Sequence, residues 1–176
     1  MHLTPTMKKF ILHWGEMGTR WGINRTVAQV HALLFLSLKP IPADEIAKTL
    51  SVARSNVSTS LRELQSWGIV RVVHVLGDRR DHFESLKDVW QLFQLVVEER
   101  KRREIDPTLV LLRENVAELK TGGQAEAYTR ERLQDMLEFF EAATTCYEEI
   151  RGFSPATLRR LSKVGGKIGK VLGVAG

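Results

Sequence analysis

The sequence predicts a mainly helical fold with one small β-hairpin, on the strength of three observations. Apolar residues recur at three- and four-residue spacing along most of the chain, as they do on the buried face of a helix. One short segment, "IVRVVHV" at 69–75, is instead rich in β-branched residues, which favour strands. A Gly-Asp turn, "LGDRRD", follows, and "HFESL" at 82–86 is long enough to pair back as the second strand.

Two helices are predicted in the first forty residues. Thr4 and Pro5 form a typical helix start, with a hydroxyl cap and proline in the first turn. The segment "GTRWGIN" ends this helix, and Asn24 caps the next one, which is expected to reach about Leu38 before "KPIP" stops it. The apolar residues of the first helix are Met7, Phe10, Ile11, Trp14 and Met17.

The next part of the chain predicts a helix-turn-helix with a wing. A short helix at 43–50 is followed by the turn "SVAR" and by a second helix from about Arg54 to Trp67, which Gly68 terminates. The β-hairpin comes directly after it. The order helix, short helix, sharp turn, helix and hairpin over residues 24–86 is that of a winged helix-turn-helix. The inward stripe of the second helix is formed by Val57, Leu61 and Leu64.

The outward surface of that second helix predicts contact with double-stranded DNA. Ser and Thr are mediocre helix formers, so helix propensity does not explain their number in "RSNVSTSLRELQS". Small polar side chains let a helix enter the major groove, about 12 Å wide, and bond phosphates or base edges. We expect Ser55, Asn56 and Thr59 to face bases, and Ser58 and Arg62 to divide between bases and phosphates. The residues predicted at DNA on this helix are Arg54, Ser55, Asn56, Ser58, Thr59 and Arg62.

The predicted hairpin also contains basic residues that are expected to contact DNA. The segment "GDRRD" is expected to place Arg79 and Arg80 at the hairpin tip, where an arginine can enter the minor groove of DNA. Asp78 and Asp81 flank the pair, so one of the two arginines is expected to hold the tip together. The alternative is an ordinary solvated turn.

The charge is divided unevenly along the chain. Residues 1–80 contain 11 Lys and Arg against 5 Asp and Glu, whereas residues 81–150 contain 9 against 16. Residues 151–176 contain 6 basic residues and no acidic ones. Segregated positive charge attracts polyanions, although chance clustering on a solvated surface is the alternative. The acidic middle segment suits a scaffold that is held away from DNA.

The second half of the chain is predicted to be helical. One helix ends in the charged run "EERKRRE", and Asp106 and Pro107 are expected to cap and open the next. After the loop "KTGGQAEA", a long helix is expected from about Tyr128 to Arg151, and Ser154 precedes a short basic helix. The apolar stripes lie at Leu86, Trp90, Phe93 and Val97, at Leu109, Leu112, Val116 and Leu119, and from Leu133 to Ile150.

These elements predict a homodimer with separate DNA-binding and dimerisation parts. Two winged modules on a two-fold axis can read half-sites about 34–36 Å apart, which one module cannot do. The apolar stripes at 7–17 and 133–150 favour pairing, the alternative being packing within one chain. The predicted parts are an N-terminal helix for dimerisation or packing (1–23), the winged helix-turn-helix (24–86), a helical dimerisation region (87–165) and a flexible basic, glycine-rich tail (166–176).

Aromatic residues suggest a ligand site. Trp14, Trp21, Trp90 and Phe93 are predicted to be able to surround a quaternary ammonium group through cation–π contacts. The alternative is that they pack in the core and at an interface. A ligand among the scaffold helices would change the separation of the two reading helices.

Other classes of protein fit the sequence less well. The five histidines have no zinc-site spacing, and no phosphate loop, nucleophile elbow or dinucleotide fingerprint is present, so no enzyme, metal or cofactor is expected. A single cysteine, Cys146, fits a reducing compartment. No signal peptide and no run of about 20 apolar residues is present, so a cytoplasmic protein without membrane contact is predicted. The remaining alternative is a winged-helix subunit that binds proteins in an assembly.

The central residues resemble a known family. "PADEIAKTLSVARSNVSTSLRELQSWGIVRVV" followed by "GDRR" resembles the MarR-type transcriptional regulators, and the flanking residues resemble their GbsR-like branch. The similarity covers about 14–112 and is most specific in 41–107. It implies a cytoplasmic homodimer that binds operator DNA, usually as a repressor, with a recognition helix at 54–67 and a wing at 72–83. It also implies a choline-like effector, whereas the tail 163–176 is not typical of the family.

Overall fold

The computed structural model describes residues 3–119, 124–154, 156–158 and 160. These residues are mainly helical, with one three-stranded antiparallel sheet, as the sequence predicted. The chain divides into two compact units between Val96 and Val97, and each is described separately. The predicted tail and residues 120–123 of the predicted loop lie outside the described residues.

Unit 1, which ends at Val96, contains the predicted winged helix-turn-helix. Its elements are α1 (Pro5–Arg20), α2 (Arg25–Leu36), β1 (Ile41–Pro42), α3 (Ala43–Leu50), α4 (Arg54–Ser66), β2 (Val70–Val75), β3 (Asp78–Ser85) and the first part of α5 (Val89–Arg100). Two predicted caps are confirmed, since Thr4 Oγ1 accepts the N–H of Met7 at 3.2 Å and Asn24 Oδ1 accepts that of Thr26 at 2.8 Å. Helix α1 continues through Arg20, further than predicted, and α2 stops two residues short of Leu38.

The first two helices pack closely because α1 has glycines where it meets α2. A Cβ atom built on Gly18 would lie 2.6 Å from the Cβ of Ala28, and one on Gly15 would lie 2.7 Å from Cγ of Gln29. The apolar stripe of α1, with Phe10, Ile11 and Trp14, packs against the core of unit 1. These three side chains therefore pack inside the chain, and a part for 1–23 in dimerisation stays a prediction.

We expect Gly18→Ala to lower the free energy of unfolding by about 1–3 kcal/mol, because Ala28 cannot move away without shifting a helix. The intrinsic helix preference of alanine, about 1 kcal/mol, acts in the opposite direction. Urea denaturation of the full chain measures the effect. In an Ala28→Gly background the same change should be neutral or stabilising, and an equal loss in both backgrounds would contradict the close contact.

The sheet contains a strand that the sequence did not predict and a shorter turn than expected. Strand β3 is central, with β1 on one side and β2 on the other, and Ile41 pairs with Phe83. Because β1 has only two residues, it carries no recognisable alternation. The predicted turn at 76–81 is wrong: only Leu76 and Gly77 form it, and Gly77 has a φ of +86° that favours glycine. The arginines predicted at the tip therefore lie at the start of β3.

The core of unit 1 holds α4 against the helices before it. Val57, Leu61 and Leu64 on α4 are at most 2% exposed, as the predicted inward stripe requires. They pack with Leu33 and Ile46 from the two preceding helices. This packing determines which side of α4 faces outward. The largest fully buried side chains are Leu33, Leu34, Ile46, Leu61, Leu64, Val30 and Val57.

Unit 2 begins with the end of α5 and continues through helices that do not separate where the sequence predicted. A π-helical turn (Lys101–Ile105) joins α5 to α6 (Asp106–Glu118) without a break. Asp106 was predicted to cap a new helix, and this is wrong, because its φ of −60° and ψ of −44° are helical. Pro107 cannot donate to a carbonyl in the preceding turn, and the wider π-helical turn carries the backbone past that missing bond.

Helix α7 (Gln124–Arg151) packs along α6 through a small apolar cluster. Leu109, Leu112 and Leu137 are buried there, with Leu133 and Phe140 beside them. The long helix is as predicted but begins four residues earlier than Tyr128. Among the helices that the structure describes, none is long and apolar enough to cross a membrane.

Candidate nucleic-acid interface

Helix α4 presents most of the predicted DNA-contacting residues to solvent. Arg54, Ser55, Asn56, Thr59 and Arg62 are exposed, and Ser58 is half-buried. Ser60, another hydroxyl residue in the same run, is only 2% exposed and faces the core. The outward surface of α4 therefore carries mostly small polar side chains together with two positively charged arginines. We call these six residues, Arg54, Ser55, Asn56, Ser58, Thr59 and Arg62, the α4 surface.

The side chains at the start of α4 are not occupied by contacts within the described chain. No hydrogen bond or ion pair joins Arg54, Ser55 or Asn56 to another described side chain. The N-cap residue, Ala53, has no side-chain acceptor, so the first N–H groups of α4 lack a side-chain cap. A helix N-terminus in this state carries partial positive charge and suits an anion. Further along, Arg62 Nη2 donates a long 3.4 Å bond to Thr59 Oγ1.

The turn before α4 fixes where this helix begins. Ser51 ends α3 in the left-handed region, with a φ of 54° and a ψ of 43°. Its N–H bonds back to Lys48 O at 3.4 Å, and that of Val52 bonds to Ala47 O at 3.1 Å. These bonds terminate α3 sharply. The chain can therefore start α4 after only three residues.

The two predicted wing arginines have different surroundings. Arg80 Nη1 donates to Asp44 Oδ2 on α3 at 2.9 Å, and its Nη2 donates to Asp78 Oδ2 at 2.6 Å. The guanidinium of Arg80 holds the pKa of Asp78 well below its usual range. In contrast, no hydrogen bond or ion pair joins the exposed side chain of Arg79 to another described residue. Arg80 therefore pairs with the flanking Asp78, as expected of one arginine, and it also links the wing to α3, which the sequence did not predict. The side chain of Arg79 faces solvent.

The four predicted cage residues are not brought together. Trp14 and Trp21 line a cavity of about 70 Å³ in unit 1, but Trp90 and Phe93 do not, and Phe93 is 60% exposed. The cavity has Trp67, at the end of α4, and His31 in its wall instead. Helical spacing from Val27 to Leu34 in α2 was the signal that could have placed His31 on the inward side. Trp67 follows the inward Leu64 by three residues, so the same spacing could have placed it on a buried face.

Comparison with known proteins identifies the type of this fold. Residues 21–81 match the model of the MarR family. This segment is similar to that family and has the element order of a winged helix-turn-helix. It contains α2, α3, α4 and the start of the wing, and thus the whole α4 surface together with Arg79 and Arg80.

Similar proteins extend the comparison beyond residues 21–81. YvaV of Bacillus subtilis, whose name describes an HTH-type transcriptional regulator, is 26% identical over 84 residues, which are 48% of each chain. The chain thus spans about half the length of this curated relative. A crystal structure of a transcriptional regulator superposes with a TM-score of 0.62 at 21% identity, covering 84% of this chain and 97% of that one, which supports the fold. A mutant of S. aureus MepR bound to oligodeoxyribonucleotide has a TM-score of 0.39 at 18% identity, covering 76% of this chain and 88% of that one.

Proposed function

We propose that this protein is a transcriptional regulator of the GbsR-like branch, a cytoplasmic repressor that binds operator DNA as a homodimer and responds to a small ligand. The α4 surface carries this proposal. Its small hydroxyl and amide side chains and its two arginines are exposed, and the core residues on the opposite side of α4 hold it outward. A surface of this shape and charge matches the major groove.

The roles of individual side chains follow from their position on α4. The N-terminal part of the second helix meets the bases in this type of motif, so Ser55, Asn56 and Thr59 contact base edges. Arg62 lies one turn further along α4 and donates hydrogen bonds to guanine or to a phosphate. The N–H groups at the start of α4 receive a backbone phosphate.

The homodimer is supported by apolar side chains that unit 2 leaves exposed. Val110 and Leu111 on α6 are 53% and 56% exposed, and Met136 and Phe139 on α7 are 50% and 68% exposed. Exposed apolar groups of this size favour an interface. A second copy of this chain is the partner we propose, because a two-fold axis repeats the α4 surface for the second half-site.

A mobility-shift titration with the DNA upstream of its own gene tests the proposal. Binding should weaken steeply as salt rises, because counterions are released when arginines contact phosphates. Arg62→Ala should lower the affinity about 5- to 100-fold and relax base preference at one or two positions. Arg132→Ala on α7, an exposed arginine held by Glu131, is the matched control and should bind normally.

Two results would contradict this function. Indifference to duplex DNA even in dilute buffer would favour the alternative, a winged-helix subunit that binds proteins, whose apolar contacts should resist salt. Equal losses for Arg62→Ala and Arg132→Ala would mean that the α4 surface has no special part in binding.

The two wing arginines should respond differently to substitution. Arg79→Ala should weaken binding to all sequences evenly and reduce the salt slope by about one, since it removes a direct contact with DNA. Arg80→Ala should weaken binding by releasing the wing from α3. Asp44→Asn removes the same link from the other side, so it should reproduce part of the Arg80→Ala effect. If Asp44→Asn changes nothing while both arginine variants lose affinity equally, Arg80 contacts DNA itself.

A further inference from the structure

The tip of the wing carries an apolar side chain that no other described residue covers. Leu76 is fully exposed, and its neighbour Val75 is 40% exposed. Val75 pairs with Asp78, so Leu76 and Gly77 alone turn the chain. Gly77 has a positive φ and Leu76 does not, a combination found in a type II turn. Leu76 is therefore the first of the two residues at the end of the hairpin, where its side chain protrudes into solvent.

A leucine is not needed at this position to turn the chain. Glycine, proline, asparagine, aspartate and serine dominate turns, because they adopt the required backbone angles or bond their own backbone. Leu76 offers neither property, and among the described residues it belongs to neither of the two apolar clusters. Single exposed leucines are common on protein surfaces, so the surroundings of Leu76 matter more than its exposure.

The residues next to Leu76 are held in place by ion pairs and hydrogen bonds. Asp78 accepts Nη2 of Arg80 at 2.6 Å and the backbone N–H of Arg80 at 3.0 Å. The same guanidinium donates to Asp44 on α3 at 2.9 Å. These bonds tie the end of the hairpin to a helix of the core. A side chain mounted in this way keeps its position when it is pressed against a partner.

Positive charge accompanies the apolar tip. Arg79 lies three residues after Leu76, and no hydrogen bond or ion pair joins its exposed side chain to another described residue. An unpaired arginine favours the narrow minor groove of DNA, where the negative potential is strong. Proteins that bind there combine such cations with apolar side chains that enter between base steps. A protein interface would need a larger apolar area than one leucine and part of a valine supply.

We propose that Leu76 enters the minor groove of bound DNA as an apolar wedge, partly unstacks one base step and bends the duplex. This inference rests on the proposed function, since the wing reaches the minor groove only when α4 lies in the major groove. Pyrimidine–purine steps are the easiest to unstack. Leu76 therefore favours operators with such a step under the wing, without a hydrogen bond to any base.

DNA bending and affinity, measured together, test the wedge. The duplex of the mobility-shift titration carries a donor and an acceptor fluorophore at its two ends, and bending by the wild-type chain should raise the energy transfer. Leu76→Ala should bind about tenfold more weakly and give a smaller rise at saturation. Its salt slope should stay unchanged because no charge is removed, unlike that of Arg79→Ala. Leu76→Met keeps a long apolar side chain and should restore most of the affinity and bending.

A change in the DNA tests the same contact from the other side. Footprinting locates the bases under the wing, and one pyrimidine–purine step there is replaced by a stiff A-tract step. This replacement should weaken binding of the wild-type chain several-fold more than that of Leu76→Ala, since only the leucine needs the step to open. Equal losses for the two proteins would overturn the wedge.

Leu38→Ala is the matched control variant. Leu38 is also fully exposed in unit 1, but it follows α2 and lies outside the wing, so this variant should bind and bend DNA normally. The same behaviour of Leu76→Ala would overturn the inference and leave the proposed function intact. Lower affinity with unchanged bending, or a smaller salt slope, would also overturn it. Failure of the wild-type chain to bind any duplex would overturn the proposed function and this inference together.

Discussion

Thr59→Trp should reduce affinity for duplex DNA by about 100-fold or more, the equivalent of about 3 kcal/mol. Thr59 is exposed on α4 at a position expected to face bases. An indole there would hold the backbone of α4 away from the groove floor and would disturb the neighbouring contacts as well. Because the side chain is on the surface, the free energy of unfolding should change by no more than about 0.5 kcal/mol.

Thr59→Ala separates the effect of bulk from the loss of the hydroxyl. It removes the hydroxyl but keeps the side chain small, so it should cost no more than about tenfold in affinity. A mobility-shift titration of both variants, with urea denaturation as the folding control, makes the comparison. Similar affinities for the two variants would mean that no groove closes around this face of α4.

The free energy of unfolding should fall by about 2 kcal/mol between pH 7 and pH 5 because of His31. The folded-state pKa of His31 is about 4, against an ordinary value of 6.5. Between these values the unfolded chain binds a proton that the folded chain excludes, so stability is complete above pH 6.5 and is lost as the pH falls towards 4. The cause is burial, which disfavours the charged imidazole.

His31→Gln is the control for this pH dependence. Glutamine does not titrate, so the decrease between pH 7 and pH 5 should be smaller by about 2 kcal/mol in this variant, whatever its stability at pH 7. Urea denaturation at both pH values, in one buffer system of constant ionic strength, measures the difference. The same decrease in both proteins would mean that His31 takes up its proton without unfolding.

Features set by neighbouring residues were predictable from the sequence. The inward residues of α4, Val57, Leu61 and Leu64, follow from helical spacing, and the exposed side that carries Thr59 follows from them. The caps at Thr4 and Asn24 depend on residues two or three positions away. Local patterns of this kind also predicted the hairpin.

Features that depend on distant residues were not predictable in the same way. The ion pair of Arg80 with Asp44 joins residues 36 positions apart, and only the folded chain distinguishes Arg80 from Arg79. The strand β1 exists because β3 lies beside it. The cavity at His31 arises where four helices meet, so separate helical stripes place Trp14 and Trp67 on buried faces without showing that they share one space.

The different surroundings of Arg79 and Arg80 coincide with a break in the pairing of β2 and β3. Val73 pairs with His82 and Val75 with Asp78, so β3 uses four residue steps where β2 uses two. The two extra residues of β3 therefore lie within 79–81, the stretch that contains both arginines. Deletion of two residues from this stretch would restore regular strand pairing but would remove at least one of the arginines.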